Sequence, residues 1–197
     1  MLTDVIQCRR EAGLLLEHRV DAMVLACHAM ARRFHRGGRL IAFGNGASST
    51  DAQHIAVEFV HPVIVGKRAL PAIALSNDSA TLSSIASGYH WDEVFAHQLT
   101  YLARPEDIAI GLSLDGQCHN VCRGLQTARD IGTLTLALVG GESGYIGKST
   151  VVDHLLEAPS HDPLVVKEMH VTCYHILWEL VHVFLAHPAL LTAGEEG

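Results

Sequence analysis

Long apolar runs and an excess of basic charge are both missing from this sequence. No stretch reaches the roughly 18 consecutive apolar residues of a transmembrane helix, although 49% of the residues are hydrophobic. Only 14 Lys and Arg residues stand against 21 Asp and Glu residues, which gives a formal net charge of -7. Because a nucleic-acid backbone requires a basic face, we expect neither direct nucleic-acid binding nor a membrane protein.

Signals for secretion and for a disulfide framework are also lacking. Residues 1–10 contain Asp4, Arg9 and Arg10 and have no apolar core of a signal peptide. Five cysteines are an odd number in a chain of 197 residues, which favours a reduced, cytoplasmic protein. No repeat, linker or low-complexity segment divides the chain, so its length predicts one domain with an appended helical piece.

The helical piece is predicted at the N-terminus, where apolar residues recur at helical spacing from Thr3 to Arg36. An unbroken helix of this length would run roughly 50 Å, longer than such a domain is wide, and Gly13 is expected to interrupt it. We interpret residues 1–37 as an N-terminal helical oligomerisation segment whose apolar stripe packs against another subunit. The alternative is a helix folded back over the chain's own sheet.

From residue 38 to residue 197, apolar runs alternate with helical segments. The predicted strands are Arg39–Gly44, Pro71–Leu75, Asp107–Ser113, Thr133–Val139 and Val151–Glu157, and a closing helix is predicted over Pro163–Ala186. This alternation predicts an α/β fold with a doubly wound, five-stranded parallel sheet. Ligands of such sheets lie beyond the carboxyl ends of the strands. Three turns should therefore lie together: Asn45–Ser49, Ser76–Ser79 and Ser113–Asn120.

Residues 40–58 combine a buried strand, a turn of small residues and a helix. Gly44-Asn45-Gly46 ends the strand, and the polar residues from Ser48 to Asp51 offer several N-caps for the helix. The free N–H groups of such a turn form an anion site. On the helix, His54 and Glu58 are four residues apart and share a face. Spacing alone explains this pair equally well as an ordinary exposed pair on a helix.

Several motifs then occur in the order typical of a known family. They are Gly44–Ser48 with Asp51–His54 and Glu58, Leu70–Leu75 leading to Asp78, Asp92–Phe95 with Gln98, and Pro159–Asp162 leading to Glu168–His170 and His175. From about Arg39 to Leu185 the sequence resembles the phosphosugar-isomerase (SIS) domain. Within that group it resembles the phosphoheptose isomerases, which interconvert sedoheptulose 7-phosphate and a heptose 7-phosphate. The resemblance implies a flavodoxin-like SIS domain over residues 38–197 and a cytoplasmic homotetramer with sites at subunit interfaces.

The resemblance also implies roles for individual residues. Glu58 and His175 match the acid–base pair, and His54, Glu58 and His175 match three ligands of a zinc ion. The positions that match substrate-binding or site-lining residues are Asn45, Gly46, Ser48, Asp78, Ser113, Asp115, Gly116, Cys118, Asp162 and Lys167. In an aldose–ketose isomerisation, a carboxylate moves a proton between adjacent carbons and a neutral imidazole moves one between the oxygens. Zinc would stabilise the enediolate as a Lewis acid.

Two departures from the family pattern concern the phosphate and the metal. The family's phosphate loop has the form Ser-Thr-Ser-Gly-Asn-Ser, whereas this chain has Ser113-Leu114-Asp115-Gly116-Gln117-Cys118. The carboxylate of Asp115 would repel a phosphate, Leu114 removes a hydroxyl donor, and Cys118 replaces another with a weak thiol donor. Lys167 stands in place of the family's glutamine ligand. Its ammonium cannot ligate a metal, and we expect it to pair with Asp115 or Glu58 or to attract phosphate.

We predict a phosphoheptose-isomerase-like enzyme that acts on sedoheptulose 7-phosphate or a related sugar phosphate. One alternative is a non-catalytic SIS-domain tetramer that binds a protein partner or a sugar-phosphate ligand as a regulator. Another is a subunit that pairs with a complete isomerase and uses its phosphate loop. The retained His54, Glu58 and His175 favour catalysis, and the altered loop favours the alternatives.

Overall fold

Five apolar segments pair into one parallel sheet. They are β1 (Leu40–Gly44), β2 (Ala72–Ala74), β3 (Ile108–Ser113), β4 (Leu134–Gly140) and β5 (His154–Ala158). The structure is a computed structural model that describes residues 2–192, and its strand order is β2-β1-β3-β4-β5. All neighbouring strands are parallel, and β1, β3 and β4 are buried at every position, as strands covered on both faces must be. The predicted doubly wound sheet is confirmed.

Helices cover both faces of this sheet. They are α1 (Leu2–Leu16), α2 (Val20–His35), α3 (Ala47–Val60), α4 (Ser79–Gly88), α5 (Val94–Leu102), α6 (His119–Ile131), α7 (Gly144–Gly147), α8 (Pro163–Ala186) and α9 (Ala189–Thr192). One apolar core lies between the sheet and α2, α3 and α8. A second lies on the opposite face, under α4, α5 and α6. None of the helices described over residues 2–192 is long and apolar enough to cross a membrane.

The N-terminal segment differs from the prediction in two respects. The interruption is a 3₁₀ turn at Glu17–Arg19, whereas Gly13 lies inside α1. Most stripe residues of α2 pack in the chain's own core, where α2 contacts α8, so for these residues the folded-back alternative is observed. Val20 and Val24 remain exposed, and the oligomerisation role of residues 1–37 stays a prediction. An apolar stripe looks the same whichever surface covers it. On α1, Ala12 and Leu16 are buried, whereas five larger apolar residues are exposed: Leu2, Val5, Ile6, Leu14 and Leu15.

The start of α3 is set by glycine, not by a polar cap. Gly46 has φ 51° and is the N-cap, so the helix begins at Ala47, before the predicted capping residues. The predicted capping residues, Ser48 to Asp51, lie inside the helix, and no side chain caps its first turn. Gly44 permits the close approach of α3, because a Cβ there would lie 2.8 Å from both Leu112 O and Ser48 Cβ. The helix therefore starts directly at the end of β1.

The chain reverses its direction across the sheet between β1 and β3. In the parallel register Gly44 lies beside Leu112, so the turn after β1 lies beside the turn after β3, as predicted. The side-chain amides of Asn45 and Asn120 join the two turns by reciprocal hydrogen bonds of 2.8 and 2.9 Å. This switch point is the ordinary ligand-binding edge of a doubly wound sheet.

Candidate active site

Helices α3 and α8 run side by side in the same direction, and polar contacts join them along their length. Lys167 contacts Asp51, Tyr174 contacts His54, and the Trp178 indole donates to the backbone oxygen of Glu58 over 2.9 Å. We call this line of contacts the α3–α8 seam. On α3 the seam extends over two helical turns, from Asp51 near the turn after β1 to Glu58.

Three residues at the far end of the seam form a compact cluster. His54 Nε2 lies 3.2 Å from Glu58 Oε1 across one turn of α3, and His175 faces them from α8. One ligating atom of each residue lies within 4.8 Å of the others. All three line a cavity of about 350 Å³, which is completed by Val63, Ile64, Trp178 and Glu179. We call His54, Glu58 and His175 the His–Glu–His cluster; folding within one chain brings these three predicted residues together.

Tyr174 supports the cluster from the core. Its hydroxyl lies 2.6 Å from His54 Nδ1, and its side chain is only 1% exposed. Burial, with the nearby carboxylates of Asp51 and Glu58, raises the pKa of Tyr174, so the hydroxyl keeps its proton. Because the Glu58 carboxylate only accepts, a neutral His54 donates from Nε2 to Glu58 and accepts from Tyr174 at Nδ1.

Lys167 lies at the opposite end of the seam. The predicted pairing of Lys167 with Asp115 or Glu58 is not observed. Its Nζ donates to Asp51 Oδ1 over 2.6 Å, to Ala47 O over 3.0 Å and to Thr50 Oγ1 over 3.2 Å. The reason is helix register: Lys167 is near the start of α8 and so faces the first turn of α3. Its three donors are all used. Lys167 thus neutralises Asp51, which is 3% exposed, and fixes the turn after β1.

The turn after β3 is filled by its own carboxylate. Asp115 Oδ1 accepts from the Gln117 N–H over 2.9 Å and from the Ser113 hydroxyl over 3.1 Å. Gly116, with φ 70°, donates its N–H to Ser113 Oγ over 3.0 Å, and Cys118 Sγ lies 3.3 Å from the same oxygen. We call residues 113–118 the 113–118 turn. Two of its donors, the Ser113 hydroxyl and the Gln117 N–H, thus point at Asp115.

The other predicted binding residues have structural contacts in the chain. Asn45 is paired with Asn120, and Ser48 is buried in the first turn of α3. Asp78 caps α4, and its hydrogen bond from the Thr81 hydroxyl lowers the pKa of its carboxyl. Asp162 caps α8 by accepting from Leu164 N–H over 2.9 Å.

The predicted residues do not all share one cavity within this chain. Asp115 lines a cavity of about 360 Å³ with Lys148 and His161, whereas Asp78 lines another, beside β2. The His–Glu–His cluster lines neither of them.

Sequence reasoning gave no role to Tyr174 or Trp178 and no partner to Asp51. One signal was available, because Lys167, Tyr174 and Trp178 are spaced by seven and four residues and therefore lie on one face of α8. That pattern indicates a face in contact with another helix, but it does not identify the residues on that helix.

Comparison with known proteins places this chain in a family. Residues 10–140 match the SIS domain family, and the chain belongs to it. A phosphoheptose isomerase from Roseiflexus sp. is 37% identical over 169 residues, covering 84% of this chain and 83% of that protein.

Solved structures agree with this assignment. A phosphoheptose isomerase from Francisella tularensis superposes with a TM-score of 0.86 at 25% identity, covering 92% of this chain and 96% of that one. The enzyme from Neisseria gonorrhoeae superposes with a TM-score of 0.82 at 27% identity, covering 92% and 98%. Within the SIS proteins, the chain belongs to the phosphoheptose isomerase family.

Proposed function

We propose that this chain is an aldose–ketose isomerase that acts on sedoheptulose 7-phosphate or a closely related sugar phosphate. The observation that carries the proposal is the His–Glu–His cluster, which joins a carboxylate and two imidazoles in one cavity. Relatives that are named phosphoheptose isomerases share the fold over most of their length.

The proposed reaction assigns one proton transfer to each side of the cluster. The carboxylate of Glu58 takes a proton from the carbon next to the carbonyl and returns it to the neighbouring carbon. His175 moves the hydroxyl proton from one oxygen of the enediol to the other. No oxidant or co-reactant is consumed, because the sugar only exchanges the positions of its carbonyl and hydroxyl groups.

The same three residues suit a zinc ion. Two imidazoles and a carboxylate are preferred zinc ligands, and a catalytic zinc site keeps three protein ligands and an open position. Lys167, in place of the family's glutamine, is fully used by Asp51 and the first turn of α3. His54, Glu58 and His175 would therefore hold the ion. Zinc would supply Lewis-acid stabilisation of the enediolate charge.

The decisive experiment is isomerisation of sedoheptulose 7-phosphate by the purified chain and by Glu58→Gln. We expect kcat to fall by about 10²–10⁴-fold, the range for loss of a general base. Glu93→Gln is the matched control, because Glu93 is paired with Arg123 on α6, away from the cluster. Activity that survives unchanged in Glu58→Gln would show that another group is the base.

We also propose a cytoplasmic homotetramer. The five cysteines, all within the described residues, are free thiols, as in a reducing compartment. Val63 and Ile64 line the cavity yet are 74% and 47% exposed. A neighbouring subunit would cover them together with the exposed face of α1. Mass spectrometry under native conditions tests the subunit number and bound zinc together.

The regulatory alternative is not favoured. A non-catalytic scaffold has no requirement for the His–Glu–His cluster, and the relatives with solved structures above are enzymes by name. The altered 113–118 turn, which had favoured the alternatives, would change the contacts with a phosphate group. It does not change the residues of the His–Glu–His cluster.

A further inference from the structure

Nδ1 of His54, the ring nitrogen that does not face Glu58, contacts Tyr174, a residue that has no part in the proposed chemistry. Tyr174 Oη lies 2.6 Å from His54 Nδ1. The rings of Tyr174, His54 and His175 meet edge to face, with centroids 5.0–5.3 Å apart and interplanar angles of 79–86°. Tyr174 thus touches both imidazoles of the cluster, and its ring is anchored in the core with Leu177 and Cys173.

A hydroxyl at this position differs physically from the usual partners of such a histidine. A carboxylate or a backbone carbonyl only accepts a hydrogen bond, so it enforces an N–H at the nitrogen that it faces. A phenol both donates and accepts. When His54 Nε2 donates to Glu58, Tyr174 donates to Nδ1; when Nε2 is a metal ligand, Nδ1–H donates to Tyr174.

We propose that Tyr174 is a positioning residue that orients the His54 ring and supports both of its neutral tautomers, so that the cluster is kept intact with or without a bound divalent metal. The inference rests on the proposed function for its use of the metal. Its structural part, the control of the His54 ring by one hydroxyl, does not depend on catalysis.

The test removes that hydroxyl alone. Tyr174→Phe keeps the buried ring, and Thr172→Val is the matched control. The Thr172 hydroxyl lies on the same helix but bonds to Glu168 O and faces α1. Zinc affinity, measured by competition with a chromogenic chelator, should weaken by about 10–100-fold in Tyr174→Phe, the range for loss of an outer partner of a metal ligand. Thr172→Val should leave it unchanged.

A second readout needs neither zinc nor activity. Long-range ¹H–¹⁵N spectra of the metal-free protein, assigned with His54→Gln, should show His54 as the Nε2–H tautomer. Tyr174→Phe should keep that tautomer, which Glu58 enforces, but should shift the ¹⁵N resonance of His54 Nδ1, because Nδ1 loses its hydrogen bond. In activity assays, kcat should fall while KM stays within about twofold, because the substrate contacts are not altered.

The outcomes separate the two proposals. If the wild-type chain binds no zinc but Tyr174→Phe shifts the Nδ1 resonance of His54, Tyr174 positions His54 and the zinc proposal is wrong. An unchanged Nδ1 resonance in Tyr174→Phe would overturn the inference, and so would a zinc affinity within twofold of the wild type in a chain that binds zinc.

Discussion

The His–Glu–His cluster and the 113–118 turn differ in what their polar groups face. In the cluster, the three side chains face a cavity. Tyr174 contacts His54 from the core, and Trp178 donates to the backbone oxygen of Glu58. In the turn, the donors face the chain's own Asp115. A site for acid–base chemistry is thus open, whereas the expected phosphate site is internally occupied. The cluster keeps three residues of the family pattern, His54, Glu58 and His175, whereas the 113–118 turn departs from that pattern.

The largest effect on activity is expected from a change in the His–Glu–His cluster. His175→Gln should lower kcat for sedoheptulose 7-phosphate by about 10²–10⁴-fold, because the group that moves the proton between oxygens is lost. His187→Gln, an exposed residue just after α8, is the control. Equal rates in His175→Gln and the wild type would remove His175 from the mechanism and leave Glu58 as the only assigned group.

The next effect concerns the ion pair between Lys167 and Asp51, at the start of the α3–α8 seam. Lys167→Ala leaves the buried Asp51 charge without its partner, and we expect the free energy of unfolding to fall by about 3 kcal/mol. Arg123→Ala, which breaks an exposed pair with Glu93, should cost less than about 1 kcal/mol. Urea unfolding at one protein concentration measures both.

A double variant tests the cause of that loss. Asp51→Asn combined with Lys167→Met removes both charges, and it should recover most of the stability that is lost in Lys167→Ala. If it does not, the lysine stabilises through its contacts with Ala47 O and Thr50, and charge neutralisation of Asp51 is not the reason.

These contacts show why the fold was easier to predict than the site. The bounds of α8 were correct because Asp162 and Pro163 are local start signals. The sheet followed from the alternation of apolar strands and helices. No local sequence signal shows which carboxylate Lys167 contacts, since that contact depends on how α8 is aligned against α3. In the same way, the apolar face of α2 could not show whether it met its own chain or another.

A smaller effect, on the affinity for a sugar phosphate, is expected from a change in the 113–118 turn. Asp115→Ser removes the carboxylate that engages Gln117 N–H and the Ser113 hydroxyl, so these donors become available to a phosphate. Because Asp115 is exposed and its charge is screened by water, we expect about tenfold tighter binding of a sugar phosphate, measured by calorimetry. Glu142→Gln is the control, since Glu142 lines the same cavity without contacting the turn's donors. Unchanged affinity would mean that the 113–118 turn does not face the phosphate.

The smallest effect concerns His170, which lies on α8 between Lys167 and Tyr174. Burial lowers the pKa of His170 from 6.5; the Val139 backbone and Asp51 oppose the shift, and Lys167 adds to it. The unfolded chain therefore binds a proton below pH 6.5 that the folded chain resists. Stability should fall as the pH drops from 6.5 toward the lowered folded value, by at most about 1.4 kcal/mol per pH unit.

His170→Gln should flatten that decline, and urea unfolding between pH 7 and pH 5 measures the change in slope. His187→Gln should keep the wild-type slope, because His187 is exposed. An equal slope in His170→Gln and the wild type would mean that the buried ring takes up its proton while folded. Asp51, the acidic group that favours the charged ring, would then share its charge between Lys167 and His170. In that case the α3–α8 seam would be a coupled charge network along its buried half, in contrast to the 113–118 turn, where one carboxylate is satisfied by its own loop.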